Sequence, residues 1–128
     1  MKLLLDTHAF IWWDSLSSRL SSQALAACAD PANELLLSVA SVWEMQIKPQ
    51  LGKLQLRTPL TGLIKEQERT NRIGILRISI DHVFAVGNLP PLHRDPFDRL
   101  LIAQAIEERA SLVSNDSLMS QYPVKVLW

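Results

Sequence analysis

The apolar positions of this chain fall into short unbroken runs, separated by longer segments in which apolar and polar residues interleave. Leu3, Leu4 and Leu5 are consecutive and end at Asp6-Thr7. A run without polar alternation predicts a strand covered on both faces, as in a parallel sheet between two layers of helices. Leu35, Leu36 and Leu37 predict a second such strand, and Ile73, Ile75, Ile78 and Ile80 a third over residues 73–80. Residues 111–114 predict a fourth and residues 124–128 a fifth. The interleaved segments predict helices. Residues 15–29 mix Ser, Gln and Arg with Leu and Ala and stop at Asp30-Pro31. Ser41-Val42-Trp43-Glu44 has the spacing of a capping box and opens a short helix that ends at Pro49. Thr58-Pro59 opens another, with Leu60, Leu63 and Ile64 apolar. Asp81 caps a brief helix reaching Gly87, and Pro90-Pro91 marks a loop. Asp95-Pro96 starts the clearest helix, with Pro at its first position and Leu100, Leu101, Ala103, Ile106 and Ala110 inward. Strands alternating with helices predict an α/β sandwich with a mostly parallel sheet, whose sites lie beyond the carboxyl ends of the strands.

Composition narrows this picture. The chain has 128 residues, which is one domain at ~100–200 residues per domain. Apolar residues make up 48% and charged residues 20%, enough for a packed core. Lys and Arg number 13, as do Asp and Glu, which excludes a globally basic nucleic-acid binder or an acidic tail. The balance hides an asymmetry. Residues 45–77 hold seven cations (Lys48, Lys53, Arg57, Lys65, Arg69, Arg72, Arg77) against Glu66 and Glu68, so the remainder is correspondingly acidic. The single cysteine, Cys28, reads as a small core residue and excludes an internal disulfide or a multi-cysteine metal site. Three apolar residues at the amino terminus fall far short of a signal core, and no run approaches the ~20 residues of a membrane span. The expectation is a soluble, cytoplasmic protein.

The chemistry lies in the carboxylates. Asp6 follows the first strand, Glu44 lies one helical turn past the second, Asp98 is in the first turn of the clearest helix, and Asp116 follows the fourth strand. Each has a simpler use. Asp6 would cap a helix starting at Thr7, Glu44 would close its capping box, and Asp116 would make a turn. Asp95 is the natural cap before Pro96, which releases Asp98 for other work. On a parallel sheet, however, these positions share one edge, and converging carboxylates repel one another unless a cation sits among them. Mg²⁺ and Mn²⁺ prefer such oxygen ligands, and a cation held this way suits phosphodiester hydrolysis.

Four segments carry a resemblance: Leu-Leu-Leu-Asp-Thr-His at 3–8, Ser-Val-Ala-Ser-Val-Trp-Glu at 38–44, His-Arg-Asp-Pro-Phe-Asp-Arg-Leu-Leu-Ile-Ala-Gln-Ala at 93–105 and Leu-Val-Ser-Asn-Asp at 112–116. In this order and spacing they resemble the PIN domain, and within it the VapC-type toxins of bacterial toxin–antitoxin pairs, over the full length. The resemblance implies a three-layer α/β/α fold and a metal-dependent endoribonuclease. It implies Asp6, Glu44, Asp98 and Asp116 as the acidic quartet around Mg²⁺ or Mn²⁺, with Asp95 as second choice. Thr7 and Ser114 match the small hydroxyl positions that orient the site, Ser114 standing where Thr is commoner. It also implies a homodimer and an antitoxin that lays a peptide across the acidic groove.

Other features bear on partners. The basic segment would follow an RNA backbone, although at least half of its cations suit a solvated helix face. Lys48, Arg94 and Arg99 are the candidates for RNA phosphate contacts, and Arg94 and Arg99 would equally pair with the acidic residues flanking them. His8 and His93 would serve as general acids, but a histidine beside a helix start more often has a structural hydrogen bond. Trp12 and Trp13 face different directions, leaving at least one for a partner, whereas Trp43 is expected in the core. Two rival readings remain. One is a binding module with the same fold that holds RNA or a basic peptide without cleaving. The other is a phosphatase with Asp6 as nucleophile, against which His8 stands where a second Asp is needed. Phosphate-binding glycine loops, zinc-protease helices and serine-esterase elbows are missing from the sequence.

Overall fold

The computed structural model describes residues 1–48, 51 and 59–128, and Pro49, Lys53, Arg57 and Thr58 lie outside these described residues. The elements run β1 (Lys2–Leu5), α1 (Thr7–Ser15), a 3-10 turn (Ser17–Arg19), α2 (Ser22–Ala29), β2 (Glu34–Ser38) and α3 (Val39–Ile47). They continue with α4 (Leu60–Asn71), β3 (Gly74–Leu76), α5 (Ile80–Val86), α6 (Pro96–Glu108), β4 (Ser111–Val113), a second 3-10 turn (Ser117–Gln121) and β5 (Val126–Leu127). Every strand pairing is parallel, and the order across the sheet is β3-β2-β1-β4-β5. Leu5 at the end of β1 is level with Leu37 of β2 and Val113 of β4. The chain therefore builds outward from β1 on one side and then returns to the other. That reversal, between β1 and β4, is where an open parallel sheet leaves a crevice.

The leucine run of β1 needs no polar alternation because both of its faces are covered. Leu3 and Leu5 pack with Phe10 and Ile11 of α1, Cys28 of α2 and Leu63 of α4. Leu4 packs on the opposite face with Leu101, Ile102 and Ala105 of α6 and with Met119. The result is the three-layer α/β/α sandwich with a parallel sheet. Cys28 is in the core as expected, and burial pushes its thiol up to about 11. Reaction with a thiol reagent at mildly alkaline pH is expected to be about a hundredfold slower than that of a free thiol, and complete in denaturant. Fast labelling of the folded protein would contradict this placement.

Several local expectations are corrected. The helix expected over 15–29 is shorter, α2 covering only Ser22–Ala29, because α1 ends at Ser15 and a 3-10 turn over Ser17–Arg19 precedes α2. Ser41 and Glu44 do not form a capping box. The helix begins earlier, directly on leaving β2, because the Ser38 hydroxyl accepts the Ala40 N–H at 3.0 Å. The third strand is only Gly74–Leu76, since Ser79 caps α5. Ser79 and His82 exchange backbone-to-side-chain bonds of 3.0 and 3.2 Å, leaving Asp81 inside the first turn rather than at the cap. Trp43 is not a core residue. It is 57% exposed and meets the Phe97 ring edge-on at 5.0 Å. Trp12 and Trp13 are both half-buried against the first core layer. At α6 the expectation holds, with Asp95 accepting the N–H groups of Phe97 at 2.8 Å and Asp98 at 3.3 Å. Among the described residues, no helix is long and apolar enough to cross a membrane.

Candidate metal centre

Each candidate side chain is aimed by the element it starts or ends. Asp6 leaves β1 and caps α1, its Oδ1 accepting the Ala9 N–H at 2.8 Å. It is buried, and its carboxylate is hydrogen-bonded by the buried Ser114 hydroxyl. The same Ser114 oxygen accepts the Asp116 N–H at 3.1 Å, so one serine links two of the carboxylate positions. Asp116 caps the second 3-10 turn by accepting the Leu118 N–H at 3.0 Å. Glu44 lies inside α3 because the helix starts at the strand's end. There, Thr7 Oγ1 donates to its Oε1 at 2.5 Å, and Lys48 Nζ donates to its Oε2 at 2.5 Å. Ser41 Oγ sits 3.1 Å from the same Thr7 hydroxyl. Asp98 stands in the first turn of α6 beside its cap, Asp95.

These elements bring Asp6, Glu44, Asp95, Asp98 and Asp116 around one cleft of about 760 Å³ at the carboxyl edge of the sheet. Among the described residues, five carboxylates there face two formal cations, Lys48 and Arg19. Burial and the neighbouring charges shift the pKa of several of these groups. Burial, followed by repulsion from Asp95 and Asp6, pushes Asp98 up to about 7 against the pull of His93. Burial also raises Asp6 above the usual carboxylate range, despite its hydrogen bonds from Ser114 and Ala9. Burial acts upward on Asp116 as well, but bonds from His93 and the Leu118 N–H outweigh it and hold this group low. The bond to Glu44 raises Lys48, which keeps it charged.

The structure places the remaining candidates differently. Lys48 lies 3.9 Å from Asp95 Oδ2 and over the Phe97 ring, at the rim of the cleft. Arg94 is exposed. Arg99 directs its guanidinium away from the acidic residues, donating to the carbonyls of Pro90 at 3.1 Å and Val86 at 3.3 Å. It thereby braces the loop before α6. His8 is exposed, lines the cleft and lies against Trp12, with ring centroids 5.7 Å apart. His93 makes the structural hydrogen bonds expected of a histidine beside a helix start, but its Nε2 also stands among the acidic residues, 2.9 Å from Asp116 Oδ2 and 3.2 Å from Asp98 Oδ2. A ring immediately before a helix cap was its only local signal. Sequence reasoning missed Gln104, fully buried in α6, which accepts from Ser38 Oγ at 2.5 Å and ties the layers across the sheet.

Residues 3–125 match the PIN domain family. The chain belongs to the PIN domain family. This PIN domain is 31% identical over 116 residues to Ribonuclease VapC22 of Mycobacterium tuberculosis (strain ATCC 25618 / H37Rv), a match spanning 89% of this chain and 86% of that protein. Among solved structures, VapBC2 from Rickettsia felis bound to a DNA fragment from its promoter is similar with a TM-score of 0.68 at 22% identity, over 98% of this chain and 97% of that one. VapBC-1 from nontypeable Haemophilus influenzae gives 0.62 at 18% identity, over 98% and 96%. At these identities the structural likeness speaks for the PIN fold.

The donors of this PIN domain fit a hard divalent cation. They are carboxylate oxygens rather than thiolates, the cleft carries excess negative charge, and Asp98 is forced upward in pKa where a cation would let it ionise. The nearest ligand atoms of His93, Asp98 and Asp116 all lie within 4.8 Å of one another.

Proposed function

We propose that this chain is a divalent-metal-dependent endoribonuclease, the toxin component of a toxin–antitoxin pair. The observation that carries the reading is the convergence of Asp6, Glu44, Asp98 and Asp116 on one cleft with a marked excess of negative charge. The similarity to a VapC ribonuclease supports RNA as substrate, and the similarity to VapBC structures supports an antitoxin partner. A homodimer, a cytoplasmic location and Mg²⁺ or Mn²⁺ as the ion belong to the same proposal.

Asp6, Asp98 and Asp116 would hold the ion, with Glu44 completing the shell directly or through water. Bound there, it would supply the positive charge that admits a phosphodiester to an acidic cleft and favours ionisation of the attacking water. The chain's own residues set the geometry. Ser114 fixes Asp6 and the turn at Asp116, while Thr7 and Lys48 hold both oxygens of Glu44. Lys48, lining the cleft, and the exposed Arg94 would present N–H groups to RNA phosphates. The attacking water would form the new P–O bond as the 3′ oxygen leaves and takes up a proton, giving the 5′-phosphate and 3′-hydroxyl ends that the family resemblance implies.

The test is cleavage of single-stranded RNA by the purified protein with Mn²⁺, with EDTA, and with Asp6→Asn. Chelation and the substitution are each expected to remove cleavage, with the Asp6→Asn variant still folded by its melting curve. Cleavage that survives both would end the proposal. Metal-independent RNA binding with no cleavage at all would favour a binding module instead.

A further inference from the structure

The mechanism above makes no use of His93, yet its ring stands between two of the carboxylates. Nε2 lies 2.9 Å from Asp116 Oδ2 and 3.2 Å from Asp98 Oδ2. The other ring nitrogen, Nδ1, accepts the backbone N–H of Asp95 at 3.1 Å. An imidazole nitrogen that accepts a hydrogen bond carries no proton, so the neutral ring keeps its proton on Nε2 and donates it to Asp116, with Asp98 Oδ2 3.2 Å from the same nitrogen. To bind a cation through Nε2 the ring would have to move that proton to Nδ1. Two N–H groups, of His93 and Asp95, would then face each other.

The backbone that carries the ring is also held. The hydroxyl of buried Tyr122 accepts the His93 backbone N–H at 2.7 Å and that of Leu92 at 3.2 Å. Arg99 donates to the Pro90 carbonyl at 3.1 Å and the His93 carbonyl at 3.4 Å. Asp98 belongs to α6 and Asp116 to the segment after β4, so one ring nitrogen, bonded to Asp116 and 3.2 Å from Asp98, stands between carboxylates from two separate elements.

We propose that His93 is a positioning residue of the metal centre: a fixed N–H donor, not a ligand, that sets Asp98 and Asp116 at the spacing a hard cation requires. The inference rests on the carboxylate–metal reading given under the proposed function. It has a consequence for selectivity. With His93 as donor, the ion meets oxygen atoms alone, which suits Mg²⁺ and Mn²⁺; with His93 as ligand, the site would gain a nitrogen that suits Zn²⁺.

Two substitutions of similar polarity separate these roles. His93→Gln places an amide N–H near the position of Nε2, whereas His93→Asn places one near Nδ1 and leaves the carboxylates without their donor. Mn²⁺ and Zn²⁺ binding to the full chain would be measured by calorimetry for wild type, both His93 variants and Asp98→Asn, with melting curves to verify folding. His93→Asn is expected to weaken Mn²⁺ binding about 10–100-fold. His93→Gln should stay within a few-fold of wild type, and Zn²⁺ should weaken in parallel with Mn²⁺. At saturating Mn²⁺, cleavage by His93→Asn should recover toward wild type. Unchanged or tighter Mn²⁺ binding in His93→Asn overturns the inference, as does a Gln variant no better than Asn. A loss confined to Zn²⁺ makes His93 a ligand and overturns it equally. Asp98→Asn keeps the two levels apart. If it binds Mn²⁺ as wild type does, or if wild type binds none, the metal reading itself fails; if Asp98→Asn loses Mn²⁺ while His93→Asn retains it, only the role of His93 fails.

Discussion

Asp98→Asn is expected to lower RNA cleavage by roughly a thousandfold or more, and at the same time to raise the melting temperature of the metal-free protein. The two effects have one cause. Asp98 is forced from an ordinary 3.8 to about 7 by burial and by Asp95 and Asp6, so its charged form is disfavoured in the folded state. A carboxyl whose folded pKa is raised contributes stability that is full below its unfolded value and is lost as pH rises through the folded one. For Asp98 that window runs from about 4 to about 7, and above it the charge works against the fold. Asn removes the charge and keeps the shape, so the metal-free variant at neutral to alkaline pH should be more stable by roughly 1–2 kcal/mol. It should also melt with a shallower pH dependence across that window. Mn²⁺ should reverse the order, stabilising wild type and leaving the variant nearly unmoved. Melting curves with EDTA and with Mn²⁺, beside an RNA cleavage assay, check both halves. A variant that cleaves RNA at the wild-type rate would remove Asp98 from the site, and one that melts lower without metal would remove the charge argument.

Leu4→Ala carries the largest expected loss of stability. Leu4 is fully buried in the central strand, level with Leu36 and Leu112 on its neighbours, and packs against Leu101 and Ile102 of α6. Truncation leaves a cavity between two rigid layers, at about 3 kcal/mol, or roughly 10 °C in melting temperature for a chain of this size. Ile80→Ala is the control. Ile80 is 63% exposed, and its truncation should change stability by about 0.5 kcal/mol or less. Thermal or denaturant melting of both variants decides the point, and equal effects would mean that Leu4 is not packed between the sheet and α6. Because Asp6 follows two residues after Leu4 on the same chain path, cleavage measured well below the melting point should survive the substitution and fail early on warming.

Much of this molecule was readable one segment at a time. The leucine runs at 3–5 and 35–37 announced strands covered on both faces, because a side chain in every position must be apolar when helices lie above and below the sheet. Asp95-Pro96 announced the start of α6, because a cap and a fixed φ act within a single turn. The errors came where two local signals competed. Ser38 and Ser41 both suit a helix cap, and only the end of β2 at Ser38 decides between them. The isoleucines at 73–80 suit a strand, but Ser79 and His82 form a reciprocal cap that ends it early. Trp43 is expected in the core, but its helix turns it outward onto Phe97.

The amino-acid sequence by itself determined the layers, the parallel character of the sheet and the identities of the acidic residues that lie past its strands, because burial and capping are decided by neighbours a few residues apart. Only the tertiary structure decided that Asp6, Glu44, Asp98 and Asp116 surround one cleft, that Lys48 is paired with Glu44, and that His93 stands between Asp98 and Asp116. Those facts depend on the order β3-β2-β1-β4-β5, which sets β4 beside β1 and so brings together groups as far apart in sequence as Asp6 and Asp116. A carboxylate's near neighbours along the chain carry no record of which strand will lie next to it; long-range packing supplies that, and with it the charge density that calls for a cation.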